Sequence, residues 1–106
     1  IDFVDGISCA EETIFACQGM DHFHSYIENR MREGKKLPEL LKIVEKLKCE
    51  NSEIVLITDE IGYGIVPTDA FYREYRETHG RVCTQIAAEA KEVHRVICGI
   101  GTVIKG

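Results

Sequence analysis

The sequence predicts a single α/β domain over residues 1–106, built on a small, mainly parallel sheet. Three observations carry this expectation. Residues 54–57, Ile-Val-Leu-Ile, form an apolar run without alternation, the pattern of a strand buried on both faces of a parallel sheet. Two amphipathic helical stretches precede that run, and a third helical region separates it from a last apolar run at residues 93–98. Helices placed between strands imply parallel pairing through crossovers. A chain of 106 residues has room for one modest core.

Taken in order, residues 1–12 place Ile1, Phe3, Val4 and Ile7 on one apolar stripe that Gly6 interrupts. Residues 13–17, T-I-F-A-C, read as a short buried strand, and Gln18-Gly19 as a turn. Residues 20–32 read as a helix: Met20, Phe23, Ile27 and Met31 recur at helical spacing, and Asp21 suits the positive end of the helix dipole. Gly34, Lys35 and Lys36 end it. Residues 37–48 give the clearest amphipathic pattern, with Leu37, Leu40, Leu41, Val44 and Leu47 on one face and Pro38 in the first turn. After the run at 54–57 come Thr58, Asp59 and Glu60, then a loop with Gly62, Gly64 and Pro67. Thr68 or Asp69 caps a helix through Phe71 and Tyr75, which Gly80 bends or breaks. A second helical segment runs from Arg81 to about Glu92, with Val82, Ile86 and Ala90 on one face. Residues 93–98 are the last strand, and residues 99–106 a turn and tail.

Composition narrows the function. The formal charge of −5 argues against a nucleic-acid or anionic-membrane surface, although Arg73, Arg76 and Arg81 form a local basic patch able to hold phosphates. Five cysteines, with no C-x-x-C pair and no zinc-type spacing, predict free thiols in a reducing cytoplasm. There is no signal-peptide pattern and no apolar run long enough to span a bilayer. The D-H-F-H spacing places His22 and His24 on different helix faces, and His79 and His94 read as structural or solvent-facing.

Ligands of open α/β sheets sit at the carboxyl ends of the strands. Asp59 and Glu60 follow the apolar run directly, and a carboxylate there suits Mg²⁺ beside nucleotide phosphates. The same pair also fits solvated charge at a strand end. Residues 57–67, I-T-D-E-I-G-Y-G-I-V-P, resemble the signature of the adenosylcobinamide kinase / adenosylcobinamide-phosphate guanylyltransferase family of cobalamin biosynthesis. Residues 80–90, G-R-V-C-T-Q-I-A-A-E-A, are similar to a helix of that family, and residues 96–101, V-I-C-G-I-G, to its closing strand and turn. The three blocks stand in family order and cover about half the chain.

The resemblance implies a P-loop NTPase-like (RecA/Rossmann-like) three-layer fold. It implies ATP or GTP with Mg²⁺, and adenosylcobinamide or its phosphate as substrate. Asp59 and Glu60 become the expected catalytic residues, Asp59 also the metal ligand, and Gly62, Gly64, Arg81 and Gln85 the expected nucleotide-binding residues. Arg81 is then a phosphate clamp, and Gln85 a residue that holds the strand-end loop in shape.

The chain departs from the family in three ways. It has no G-x-x-x-x-G-K-[ST] phosphate loop, so the N-terminus is expected to be incomplete, with Ile1-Asp2-Phe3 the stub of the helix after that loop. No histidine precedes Thr13 to match the family's guanylylated one, and His22 and His24 are not assigned that role. Ala16 stands before Cys17 where relatives often carry Asp-Cys, so the first strand is expected to lack its carboxylate. Two other functions fit these departures: a degenerate nucleotide- or corrinoid-binding module, or a structural subunit that pairs through its sheet edge, including as a homo-oligomer.

Overall fold

A computed structural model describes residues 1–59, 61 and 69–106. Three short parallel strands, β1 (Phe3–Asp5), β2 (Gly19–Asp21) and β3 (Val55–Leu56), lie side by side in that order. Phe3, Gly19 and Val55 form one cross-strand row, and Val4, Met20 and Leu56 the next. The pleat sends these rows to opposite faces. Met20 is fully buried, with Val4 and Leu56 packed on the same core. The other face is open: Phe3 and Val55 are 44% and 40% exposed. The Phe3 ring lies across Gly19, where a Cβ would come within 2.5 Å of it.

Two sequence expectations change here. The run at 54–57 is an edge strand with one bare face, not a strand buried on both sides. Among the described residues the core covers the Val4–Met20–Leu56 face of the sheet. β1 also replaces the expected helical stub at Ile1-Asp2-Phe3.

The segment expected as a strand at residues 13–17 is a 3-10 helix, Glu11–Phe15. Ile14, wholly buried, plugs the core, and Ala16 and Cys17 turn back to the Thr13 carbonyl. The Asn51 amide donates to the Ile14 and Cys17 carbonyls at 2.9 and 2.8 Å, which fixes this turn against the following helix end. The strand comes afterwards, taking Met20 and Asp21 from the predicted helix.

Helix α1 spans Phe23–Arg32, α2 spans Leu37–Glu50 and α3 spans Ala70–Glu89. In α2, Pro38 occupies the first turn and the Glu39 carboxylate accepts the Lys36 backbone N–H at 2.9 Å. A lysine side chain has no acceptor, so this is one half of a capping box. The Asp69 carboxylate caps α3 by accepting from the Phe71 and Tyr72 amides. Contrary to expectation, α3 runs unbroken through Gly80. A glycine in a helix interior costs about 1 kcal/mol relative to alanine but removes no backbone hydrogen bond.

The core gathers Ile14, Met20, Phe23, Tyr26, Ile27, Leu40, Val44, Leu47, Tyr75 and Val82. Tyr26 donates its hydroxyl to the Glu11 carbonyl at 2.8 Å, so its buried polar atom is satisfied. α3 packs on both other helices. Lys36 pairs with Glu74 at 3.4 Å and Lys48 with Glu89 at 3.6 Å, so α2 and α3 lie side by side and point the same way.

The sequence predicts a last strand parallel to the sheet. Instead β4 (Val93–Ile97) and β5 (Ile100–Lys105) form a separate antiparallel hairpin. Cys98 and Gly99 both adopt positive φ, 52° and 77°, as a two-residue hairpin turn of the I′ kind requires. The Lys105 ammonium donates to the Ala87 and Ala88 carbonyls, both at 2.9 Å, and ties the hairpin to the last turn of α3. Val96, Ile97, Ile100, Val103 and Ile104 are exposed on it. All five cysteines are free thiols, and among the described residues no helix is long and apolar enough to cross a membrane.

Candidate functional site at the carboxyl edge of the sheet

β1 and β2 end in Asp5 and Asp21, and Asp59 follows β3 by three residues. Three carboxylates therefore stand at the edge where parallel sheets bind ligands. The expected loss of a carboxylate at Ala16 does not hold, because the strands lie elsewhere and both end in aspartate.

Asp21 accepts the backbone N–H of His22 at 2.7 Å. His22 is left-handed, with φ 54° and ψ 45°, a conformation that costs roughly 1–3 kcal/mol in a non-glycine residue and gathers at ligand sites. Its carbonyl passes so close to Gly6 that a Cβ there would meet it at 2.4 Å, which explains the glycine. His22 Nδ1 is 3.2 Å from Asp5 Oδ1 and 3.9 Å from Asp21 Oδ2. The contact with Asp5 is close but out of line for a hydrogen bond, leaving a charge attraction when the ring is protonated.

His24 is held on two sides. Its Nδ1 accepts the Asp59 backbone N–H at 3.1 Å, which puts the neutral ring's proton on Nε2. That nitrogen lies 3.6 Å from Asp59 Oδ2. The Tyr75 hydroxyl donates to the His24 carbonyl at 2.8 Å. Burial pushes the Tyr75 phenol well above its ordinary range, so it stays protonated and stays a donor. Side-chain exposure is 15% for His24 and 80% for Asp59, so the imidazole is a fixed wall and the carboxylate the part a ligand can reach.

His79, read as structural or solvent-facing, is buried. Its Nε2 lies 3.0 Å from the Thr58 hydroxyl and 3.4 Å from the Cys83 sulfur. The His22 and His24 rings are 5.8 Å apart, and those of His24 and His79 6.5 Å. The expected separation of His22 and His24 on two helix faces fails because His22 precedes the helix and turns back in a left-handed step.

Among the described residues no group of three or more His, Cys, Asp or Glu side chains is arranged to hold a metal. Mg²⁺ is commonly held by one or two carboxylates plus substrate phosphates and keeps several waters. The exposed oxygens of Asp59 match that mode.

Glu60, Gly62 and Gly64 lie outside the described residues. Arg81 and Gln85 are not beside Asp59. Arg81 pairs with Glu77 at 3.2 Å, and the Gln85 amide donates to Glu89 at 3.0 Å. Both line a groove of about 810 Å³ between α2 and α3, together with Leu37, Leu41, Arg73 and Arg76. Arg81 is two residues past His79, about 200° around the helix, so the groove and the strand-edge cluster occupy different faces of α3.

Sequence reasoning missed Asp5, Asp21, His22, His24, Tyr75 and His79. A signal was present for the first two: F-V-D and G-M-D each end a short apolar step in aspartate, as I-T-D does.

A sequence model of the family described as cobinamide kinase / cobinamide phosphate guanyltransferase matches residues 8–104. The chain is 48% identical over 54 residues to the bifunctional adenosylcobalamin biosynthesis protein CobU of Escherichia coli, and 46% identical over 54 residues to that of Salmonella typhimurium. Each match covers 51% of this chain and 30% of the relative, so the chain spans under a third of the curated relatives' length.

Proposed function

The chain belongs to the cobinamide kinase / cobinamide phosphate guanyltransferase family, and from that premise we propose that it acts in cobalamin biosynthesis as a nucleotide-dependent transferase. The reactions are phosphorylation of adenosylcobinamide, transfer of GMP from GTP to adenosylcobinamide phosphate, or both. The observation that supports this reading best is the row of strand-end carboxylates Asp5, Asp21 and Asp59 beside His24.

Asp59 would hold Mg²⁺, and Glu60 would orient the ribose, the guanine or the acceptor hydroxyl. Gly62 and Gly64 let the loop backbone approach the nucleotide. Bound Mg²⁺ offsets charge on the phosphates. His24, locked as the Nε2–H tautomer by the Asp59 amide, faces Asp59 Oδ2 at 3.6 Å, beyond hydrogen-bond range. Tyr75 and the Thr58–His79 contact hold the walls still, so catalysis rests on positioning.

The test is calorimetric titration with ATP and GTP, with and without Mg²⁺, coupled to transfer onto adenosylcobinamide. Binding with turnover is expected. The second reading is a nucleotide- or corrinoid-binding module without catalysis. Binding without turnover would select that module. No binding of either nucleotide would remove both.

A further inference from the structure

The groove between α2 and α3 combines a basic lining with an apolar one. Arg73, Arg76 and Arg81 all line it from α3, in a chain whose formal charge is −5. Across from them, Leu37 and Leu41 of α2 form an apolar wall. Glu77 is the acid lining the groove, and Arg81 pairs with it at 3.2 Å. Guanidinium groups carry five donors each, so a single ion pair does not exhaust one.

Gly80 sits in the middle of this lining. Its φ is not positive, and a Cβ there would meet nothing within 4 Å. Neither backbone strain nor crowding therefore requires glycine, yet glycine weakens the helix by about 1 kcal/mol relative to alanine. What its missing side chain leaves is room in the groove, directly between Arg76 and Arg81 along the helix.

We propose that this groove is a second ligand site, one that takes an organic phosphate ester. The arginines bind the phosphate, for which their planar forks are suited, and the Leu37–Leu41 wall takes the apolar body. The volume of about 810 Å³ falls in the range of small-molecule sites. Lys36–Glu74 and Lys48–Glu89 bridge the two helices towards their ends. The site stands independently of the strand-edge reading, because it lies on another face of α3. A nucleotide and a phosphorylated corrinoid share the required chemistry.

The experiment titrates the chain with 1-naphthyl phosphate and follows the methyl resonances of Leu37 and Leu41 by NMR. Saturable shifts of both residues are expected, with affinity about tenfold weaker in Arg76→Gln, as for loss of one charge-assisted hydrogen bond. Gly80→Leu, checked for folding by circular dichroism, is expected to abolish the shifts. Asp59→Asn is expected to leave the titration within about twofold, which separates failure here from failure at the strand edge. Displacement by GTP would assign the groove to a nucleotide, and displacement by adenosylcobinamide phosphate to the corrinoid. Absent shifts, equal affinity in the folded Arg76→Gln variant, or displacement by neither compound would overturn the proposal.

Discussion

The two faces of α3 differ in what they ask of their residues. The inner face packs Tyr75, Thr78, His79 and Val82 against the rest of the molecule, each buried and committed to neighbours. The other face lines a groove with three arginines, a glutamate, a threonine, a glutamine and a glycine. The inner face fixes the walls of the strand-edge cluster by contact. The groove face leaves open volume beside charged side chains. One helix thus serves two regions, and a substitution should report which region it belongs to by what it changes.

The largest expected effect lies at the strand edge. Asp59→Asn should lower transferase turnover by about a hundredfold, the scale of losing one charge from a phosphoryl-transfer site. Its melting temperature should be nearly unchanged, because the side chain is 80% exposed. Turnover within a few-fold of wild type would remove Asp59 from the chemistry.

Next comes stability on the two faces. Val82→Ala removes two buried methyl groups at a site with no solvent exposure and should cost about 2 kcal/mol in urea unfolding. Thr84→Ala on the groove face should stay within about 0.5 kcal/mol. Equal losses would mean that the groove face is packed like the core.

Gly80→Ala gives a smaller effect of opposite sign. With open space around the new Cβ and no positive φ, it should stabilise the fold by about 0.4–1 kcal/mol. A loss of stability there would show that the glycine serves the fold.

The smallest effect is a pH dependence at the start of α2, next to the groove. The Glu39 carboxylate is held below its ordinary range by hydrogen bonds from its own backbone N–H and from that of Lys36. Its lowered folded pKa means that the stability it adds is present above the ordinary carboxylate range. That contribution is lost as the pH falls through the lowered value. Glu39→Gln should therefore flatten the fall in melting temperature between about pH 5 and pH 3. An identical pH profile in wild type and variant would show that the cap contributes nothing.

Much of this was legible in the sequence, and the misses have physical causes. α2 carries a full apolar stripe over several turns and a proline in its first turn, so period and punctuation agree. Asp59 was legible because an apolar run ends beside it. β1 and β2 have three residues each, too few to show any period, so T-I-F-A-C looked more strand-like than the strand that follows it. Gly80 looked like a break because glycine disfavours helix, but its neighbours outweigh one unfavourable residue. The hairpin was half visible: the Cys98-Gly99 turn is a local signal, whereas pairing partners are not. His22 could not be placed, since its left-handed step depends on Gly6 passing close by in another strand.

The shared direction of α2 and α3 has an electrical consequence. Each helix carries roughly half a positive elementary charge at its amino end, and parallel alignment brings both of those ends to one extremity of the groove instead of letting them cancel. The channel is therefore polarised along its length, with the potential highest towards Leu37 and Arg73. A phosphate in the groove is therefore drawn towards Arg73, across from the Leu37–Leu41 wall.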